Sequence, residues 1–115
     1  MLRGEIRIVD LGPGLPGEAA KTRPAVIVSN NGANAMAVRF GRGVLTVVPV
    51  TSNVDRVYAF QALVPADTSG LEQDSKAQAE QVRSVSVGRI GERVGHVPAT
   101  TMLEIDDALR LHLEL

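Results

Sequence analysis

Apolar residues in this chain come in short runs, and almost every run is closed by glycine, proline or a Ser/Asn step. "EIRIVDL" (Glu5 to Leu11), "PAVIVSN" (Pro24 to Asn30) and "VLTVVPV" (Val44 to Val50) are β-branched and of strand length. Runs so short and so punctuated favour a small β fold over a helical bundle. "PAVIVSN" is apolar enough to be buried on both faces, as a central strand is. Pro49 cannot donate to a ladder, so it predicts an edge position or a bulge in the third strand. "VYAFQAL" (Val57 to Leu63) alternates and predicts a fourth strand.

The connections are less regular. "GPGLPGEAAKT" (Gly12 to Thr22) holds three glycines and two prolines in eleven residues and reads as a loop. A loop of that length in a small domain is often functional. "NGANAMAVRFGRG" (Asn31 to Gly43) could hold a helical turn or a loop. "PADTSGLEQD" (Pro65 to Asp74) reads as a turn-rich loop, and "RIGERVGHVP" (Arg89 to Pro98) as a short connection with two glycines. "SKAQAEQVRSVSV" (Ser75 to Val87) mixes helix and strand formers and is read toward strand.

Only the last stretch has helical periodicity. Met102, Ile105, Leu109 and His112 or Leu113 recur on one face, and Thr101 and Glu104 have the spacing of a capping box just after Pro98. The expected architecture is therefore mostly β with a C-terminal α-helix (α+β): a small antiparallel barrel with a helix packed on it. At 115 residues, 1–115 reads as one domain.

Composition narrows the chemistry. There is no cysteine, which removes disulfides, zinc thiolates and thiol catalysis. With two histidines and no carboxylate cluster at ligand spacing, no metal site is expected. No apolar run approaches the roughly 18 residues of a membrane span, and "MLRGEIRIVD" has no secretory core, so a cytoplasmic location is expected. The net charge is −1, yet Ala19 to Val54 contains no acidic residue while holding Lys21, Arg23, Arg39 and Arg42. That window could form one electropositive surface. Phe40, Tyr58 and Phe60 are the only aromatic residues. Any RNA contact would then lean on hydrogen bonds and phosphate contacts more than on stacking.

The ordered series "RGEI", "VDL", "GE", "RPAVIVSN", "VVPVTSN", "QAEQVRSV" and "EIDDALRLHL" resembles, over essentially the whole chain, the MazF/PemK/Kid toxins of bacterial toxin–antitoxin pairs. The resemblance implies a small SH3-like β-barrel with helices, of the MazF/PemK/CcdB type, and a homodimer. It implies a sequence-specific, metal-independent endoribonuclease, without cofactor, that cuts single-stranded RNA by 2′-hydroxyl attack. The substrate would be mRNA, with tRNA or rRNA as further targets. The implied partners are a MazE-like antitoxin with an acidic tail and, through that complex, operator DNA. Two other readings stay open: a non-nucleolytic toxin of the same fold that binds DNA gyrase, as CcdB does, and a weakly active family member.

By the same resemblance Arg23 matches the catalytic arginine and Thr51 the active-site threonine. An arginine before proline suits phosphate binding. The planar fork grips phosphate with two charge-assisted bonds, and proline restricts the residue before it. Glu18 matches the glutamate of the family's "G-S-E" or "G-H-E" loop, a candidate base for the 2′-hydroxyl. Gly17, Asn30, Ser52, Asn53, Glu80 and Gln81 are candidate RNA-binding residues. Three positions depart from the pattern. Gly17 replaces the usual serine or histidine, Gln78 stands where some members place an arginine two residues before an aspartate base, and Arg7 replaces an aromatic. Arg7 could meet RNA phosphate, lie at the dimer surface or be exposed. His96 and His112 read as structural or surface residues.

Overall fold

The computed structural model describes residues 1–115. Its elements run β1 (Glu5–Asp10), β2 (Thr22–Ile27), α1 (Asn31–Phe40), β3 (Val44–Thr51), β4 (Gln61–Val64), α2 (Ala66–Ser69), β5 (Ser75–Gln78), β6 (Arg83–Ser86), β7 (Ile90–His96) and α3 (Ala99–Leu113). All strand pairs are antiparallel, in the order β4-β5-β3-β2-β1-β7, with β6 also paired to β3. The class is the expected one, an antiparallel sheet with a C-terminal helix. The expected barrel is not closed, because β4 and β7 end the order and do not pair with each other.

The two central strands carry the core on both faces. Val26, Val48 and Val50 join Ile6, Val64 and Ile105 on one side, where α3 also lays Met102 and Leu109. Ala25, Ile27 and Val47 join Val9, Leu45 and Val85 on the other. This follows from the period of two: consecutive apolar residues must fill opposite faces, so an unbroken apolar run needs cover on both.

Pro49 lies neither at an edge nor at a bulge. It is fully buried and opposite Ala25 of β2. On its other side β3 changes neighbour, pairing β6 through Val44–Val47 and β5 through Val50–Thr51. A residue without an N–H is tolerated there because neither neighbour strand reaches it. A short 3-10 turn, Ala79–Gln81, links β5 to β6 and resolves the mixed signal of "SKAQAEQVRSVSV" as two strands.

Four other expectations change. Asn31 to Phe40 is a ten-residue helix, started by the Asn30 side chain on the Ala33 N–H and stopped by Gly41 in the left-handed region. Val57 to Phe60 is not strand. Tyr58 and Phe60 stack at 5.2 Å and close a turn, with the Gln61 N–H on the Tyr58 carbonyl at 2.9 Å. "RIGERVGHVP" contains a seven-residue strand, β7, paired to β1. The capping box at Thr101 does not form: α3 starts at Ala99, Pro98 caps it without a side-chain bond, and Thr101 is buried.

The acid-free window does not form a single surface. Lys21 and Arg23 stand where β2 begins, whereas Arg39 lies in the last turn of α1, beyond the far end of β2. The four strand residues Pro24 to Ile27, about 13 Å, lie between Arg23 and that far end.

Arg7 is engaged within the fold. Its guanidinium pairs with Glu5 at 2.9 Å and donates to the Gly91 carbonyl at 3.2 Å, tying β1 to β7. Burial alone would raise the Glu5 pKa. The Leu2 N–H and the Arg7 cation outweigh it, and the carboxyl sits below its ordinary 4.5. A lowered carboxylate pKa adds stability that is fully present above the unfolded value and is lost as pH falls through the folded one. Denaturant unfolding should therefore show that Glu5→Gln destabilises the protein at pH 7, with the deficit shrinking as pH drops below 4.5. A deficit that does not change with pH would contradict this account.

Candidate active site

The two main candidates share one cleft wall. The β2–β3 ladder runs from Ile27–Val47 to Ala25–Pro49, and Arg23 and Thr51 lie two residues beyond its end on their respective strands, both lining the same cleft. Thr51 in turn faces Lys76 of β5. Opposed residues point to the same side of a sheet, so Thr51 and Lys76 share a face. Arg23 and Pro24 are themselves part of β2 and do not precede it.

Each of these side chains is oriented. The Arg23 Nε donates to the Ala20 carbonyl at 3.0 Å, which leaves both terminal nitrogens free. The ion pairs are Arg3–Asp106, Arg7–Glu5 and Arg110–Asp107, so no carboxylate neutralises Arg23. A half-buried guanidinium with its fork unspent is suited to bind a phosphate through two parallel bonds. The Thr51 Oγ1 accepts the Asn53 N–H at 3.3 Å, so its own proton is available to an incoming acceptor. Asn53 is used locally: its Oδ1 accepts the Asp55 N–H at 3.3 Å.

Lys76 supports the loop beside Thr51 from within the fold, a role that sequence reasoning misses. It is only 8% exposed, its Nζ donates to the Arg56 carbonyl, and it lies 5.8 Å from the centre of the Tyr58 ring. It thus pins the Asn53 to Phe60 loop beside Thr51. Nothing in the local string "DSKAQ" marks it, because its role depends on the cross-strand pairing.

Two open clefts flank these strand ends. The larger, about 750 Å³, has Lys21, Thr22, Arg23, Thr51, Ser52 and Ser75 in its wall. Lys21 enters it from a left-handed backbone (φ 65°), a conformation that costs a non-glycine residue energy. The smaller, about 360 Å³, is lined by Pro13, Gly14, Glu18, Glu80, Gln81 and Arg83, among others. The candidates thus divide: Arg23, Thr51 and Ser52 around one cleft, Glu18, Glu80 and Gln81 around the other.

Gln81 fixes the loop between them. Its amide donates to the Gly17 carbonyl at 2.8 Å and accepts the Ala19 N–H at 2.9 Å. Gly17 has φ 91°, with nothing within 4 Å of where a Cβ would be. The missing serine or histidine is therefore matched by a backbone that only glycine adopts freely. Glu18 is exposed, and one of its oxygens accepts the Leu15 N–H at 2.6 Å. Glu80 accepts from the Gln61 amide at 2.7 Å through Oε2. Asn30 is not brought to either cleft; it caps α1 beyond the other end of β2. His96 and His112 are exposed, and no three ligand-type side chains converge.

The family described as "PemK-like, MazF-like toxin of type II toxin-antitoxin system" matches residues 2–113. The chain is 56% identical over its full length to Endoribonuclease MazF9 of Mycobacterium tuberculosis, covering 98% of that protein. It is 26% identical to Endoribonuclease EndoA of Bacillus subtilis, over 98% of this chain and 94% of that one. Among solved structures it resembles a mycobacterial endoribonuclease in complex with its cognate antitoxin, with 25% identity, a TM-score of 0.76, and 100% and 96% of the two chains covered. It also shares the fold of MazF from Deinococcus radiodurans, with TM-score 0.82, 23% identity, and 100% and 97% covered.

Proposed function

The chain belongs to the PemK-like, MazF-like toxins, and from that premise we propose that residues 1–115 act as one endoribonuclease toxin domain that cuts single-stranded RNA and is held in check by an antitoxin. The full-length match to MazF9 supports the activity. The unneutralised Arg23 in one cleft wall with Thr51 supports the place where it occurs.

The reaction needs no metal if the chain itself handles charge and protons. The 2′-hydroxyl attacks the adjacent phosphorus, the bond to the 5′-oxygen breaks, and the departing oxygen takes a proton from water in the open cleft. The products are a 2′,3′-cyclic phosphate and a 5′-hydroxyl. Arg23 grips the two non-bridging oxygens with its terminal nitrogens, and Thr51 donates its hydroxyl proton to the growing negative charge. Glu18, at the rim of the smaller cleft, accepts the 2′-hydroxyl proton through the oxygen not bonded to Leu15. Ser52 and Asn53 contact the strand beside Thr51, and Glu80 with Gln81 contact it on the other side.

Antitoxin pairing is inferred from the relative bound to its cognate antitoxin. An acidic, MazE-like tail would find in Arg23 and Lys21 two cations without carboxylate partners. A homodimer, operator DNA bound through the antitoxin complex, and action in the cytoplasm belong to the same proposal. No helix is long and apolar enough to cross a membrane. No observation favours a gyrase-binding toxin over this reading.

The test is end-sequencing of a long RNA incubated with the protein in EDTA. Cuts at a short recurring sequence, with cyclic or 3′-phosphate and 5′-hydroxyl ends, are expected. Thr51→Ala should slow cleavage about 100-fold, the usual scale for losing one donor to a developing oxyanion. Intact RNA with the wild-type protein would overturn the proposal.

A further inference from the structure

Lys21 stands where the backbone favours glycine. Its φ of 65° lies in the left-handed region, which it shares with only one other non-glycine residue, Glu114 at the end of α3. An L side chain there crowds the following carbonyl, so the conformation costs stability that glycine would keep. The neck of the Gly12 to Thr22 loop enforces it. The Lys21 N–H donates to the Gly12 carbonyl at 2.6 Å, and the Lys21 carbonyl accepts the Leu11 N–H at 2.9 Å. These bonds close the loop directly beyond the last β1–β2 pair, Asp10 and Thr22.

The side chain returns nothing to the fold. Lys21 is exposed, and the ion pairs of the chain are Arg3–Asp106, Arg7–Glu5 and Arg110–Asp107. The residue instead forms part of the wall of the larger cleft, with Arg23 and Thr51. Glu72 is the one carboxylate in that wall, and it pairs with neither cation. Strain that the surroundings hold in place, without contacts of the side chain itself to offset it, is typical of residues that act on a ligand.

The scissile phosphate is served without Lys21. The Arg23 fork spans the two non-bridging oxygens, and Thr51 adds a hydroxyl donor. A lysine offers something different: a point charge on a flexible stem, suited to an anion whose orientation need not be fixed. We infer that Lys21 binds a backbone phosphate next to the scissile one, and that the fold gives up stability to place this second cation in the cleft. The inference rests on the endoribonuclease reading and deepens it. Arg23 acts on the reaction, and Lys21 on the hold.

The experiment begins by mapping a wild-type cut site through end-sequencing in EDTA. A short RNA carrying that site, blocked by a 2′-O-methyl group at the attacking hydroxyl, then reports Kd between about 50 and 200 mM salt. The unblocked RNA reports kcat. Lys21→Gln removes the charge and keeps the strain, Lys21→Arg keeps both, and Lys21→Gly removes both. Lys21→Gln should raise Kd about three- to fivefold and reduce the slope of log affinity against log salt by about 0.7, the share of one phosphate contact on a single strand. Its kcat at saturating RNA should change by less than about twofold, the mark of a group that binds ground state and transition state alike. Lys21→Arg should keep the wild-type slope. Lys21→Gly should bind as weakly as Lys21→Gln yet melt about 2–5 °C above the wild type.

A Lys21→Gln protein with the wild-type Kd and salt slope would overturn the phosphate contact. Loss of kcat at unchanged Kd would also overturn it, since that would put Lys21 on the scissile phosphate. A Lys21→Gly protein that melts at or below the wild-type temperature would overturn the claim that stability is given up at this position. Absence of any RNA cleavage by the wild type would refute the endoribonuclease reading itself; cleavage that Lys21→Gln leaves untouched refutes only the second contact.

Discussion

Replacing Arg23 by alanine should lower single-turnover RNA cleavage in EDTA by about 100- to 1,000-fold while lowering the melting temperature by only about 3–5 °C. The separation of the two effects follows from how the side chain is held. Within the fold Arg23 makes one hydrogen bond, from Nε to the Ala20 carbonyl, and no ion pair. Losing one such bond at a half-buried site costs roughly 1 kcal/mol. Its two terminal nitrogens do nothing for the fold, so they are available to meet charge that appears only when phosphorus is attacked. Arg23→Lys should recover little, because a single ammonium keeps the charge but cannot make the paired bonds of a planar fork. A variant with alanine at 23 that cleaves within threefold of wild type would remove Arg23 from the mechanism.

The parts of the fold that can be read in the sequence are those whose signal is local. β2 and β3 are continuous apolar runs because both their faces are covered. α3 shows helical periodicity because only one of its faces meets the sheet. β7 gives no such sign. Its "RIGERVGHV" holds two glycines and alternating charges and becomes a strand through pairing with β1, with Arg7 opposite Arg93 and Ile6 opposite Gly95. α1 is similarly obscure, since Asn31, Gly32 and Asn34 in its first turn are poor helix formers. Its limits come from the Asn30 cap and the left-handed Gly41, and buried Asn34 and Ala37 hold it down. "VYAFQAL" misleads because Tyr58 and Phe60, two apart as in a strand, stack on each other in a turn.

The site divides along the same line. Arg23 and Thr51 can be named from sequence, and the antiparallel course of β2 and β3 brings both to one cleft wall. Lys76 and Gln61 cannot, because each matters only through a segment far away in sequence: Lys76 through Arg56 and Tyr58, Gln61 through Glu80. Gly17 reads in the sequence as a loss of chemistry. Its φ of 91° shows what the glycine provides, a loop backbone whose carbonyl meets Gln81. Asn30 resembles an RNA contact by its position after an apolar strand, but that position is also where a helix cap belongs, and the cap is what forms.

Gly95→Ala should be the most damaging small substitution away from the site, for a reason invisible in the string "RVGHVP". A Cβ at Gly95 would overlap the Ser69 carbonyl oxygen, well inside any allowed contact. The obstacle is backbone and cannot swing aside as a side chain would. Ser69 is buried in the last residue of α2, its N–H bonded to the Pro65 carbonyl at 3.2 Å. Just beyond it Gly70 caps α2 at φ 85°, and a Cβ there would already be 3.6 Å from the Gly95 Cα. Relief therefore requires β7 and α2 to part. Overpacking of this kind costs about 1–3 kcal/mol and sometimes more, and a rigid backbone clash belongs at the top of that range. About 3 kcal/mol in a domain of this size corresponds to a fall in melting temperature of roughly 10 °C or more. Gly91→Ala is the informative control: it sits in the same strand, but its Cβ would meet the Ile8 carbonyl oxygen at 3.2 Å, a contact that shifts of a few tenths of an ångström relieve. Thermal melts should rank wild type, Gly91→Ala and Gly95→Ala in falling order, with the larger gap before Gly95→Ala. Because Gly70, Leu71 and Val94 line the larger cleft, any Gly95→Ala protein that still folds should also bind RNA less well, as the wall beside Arg23 is displaced. Equal melting temperatures for the two variants would show that β7 and α2 are not packed as tightly as the approach of Gly95 to Ser69 requires.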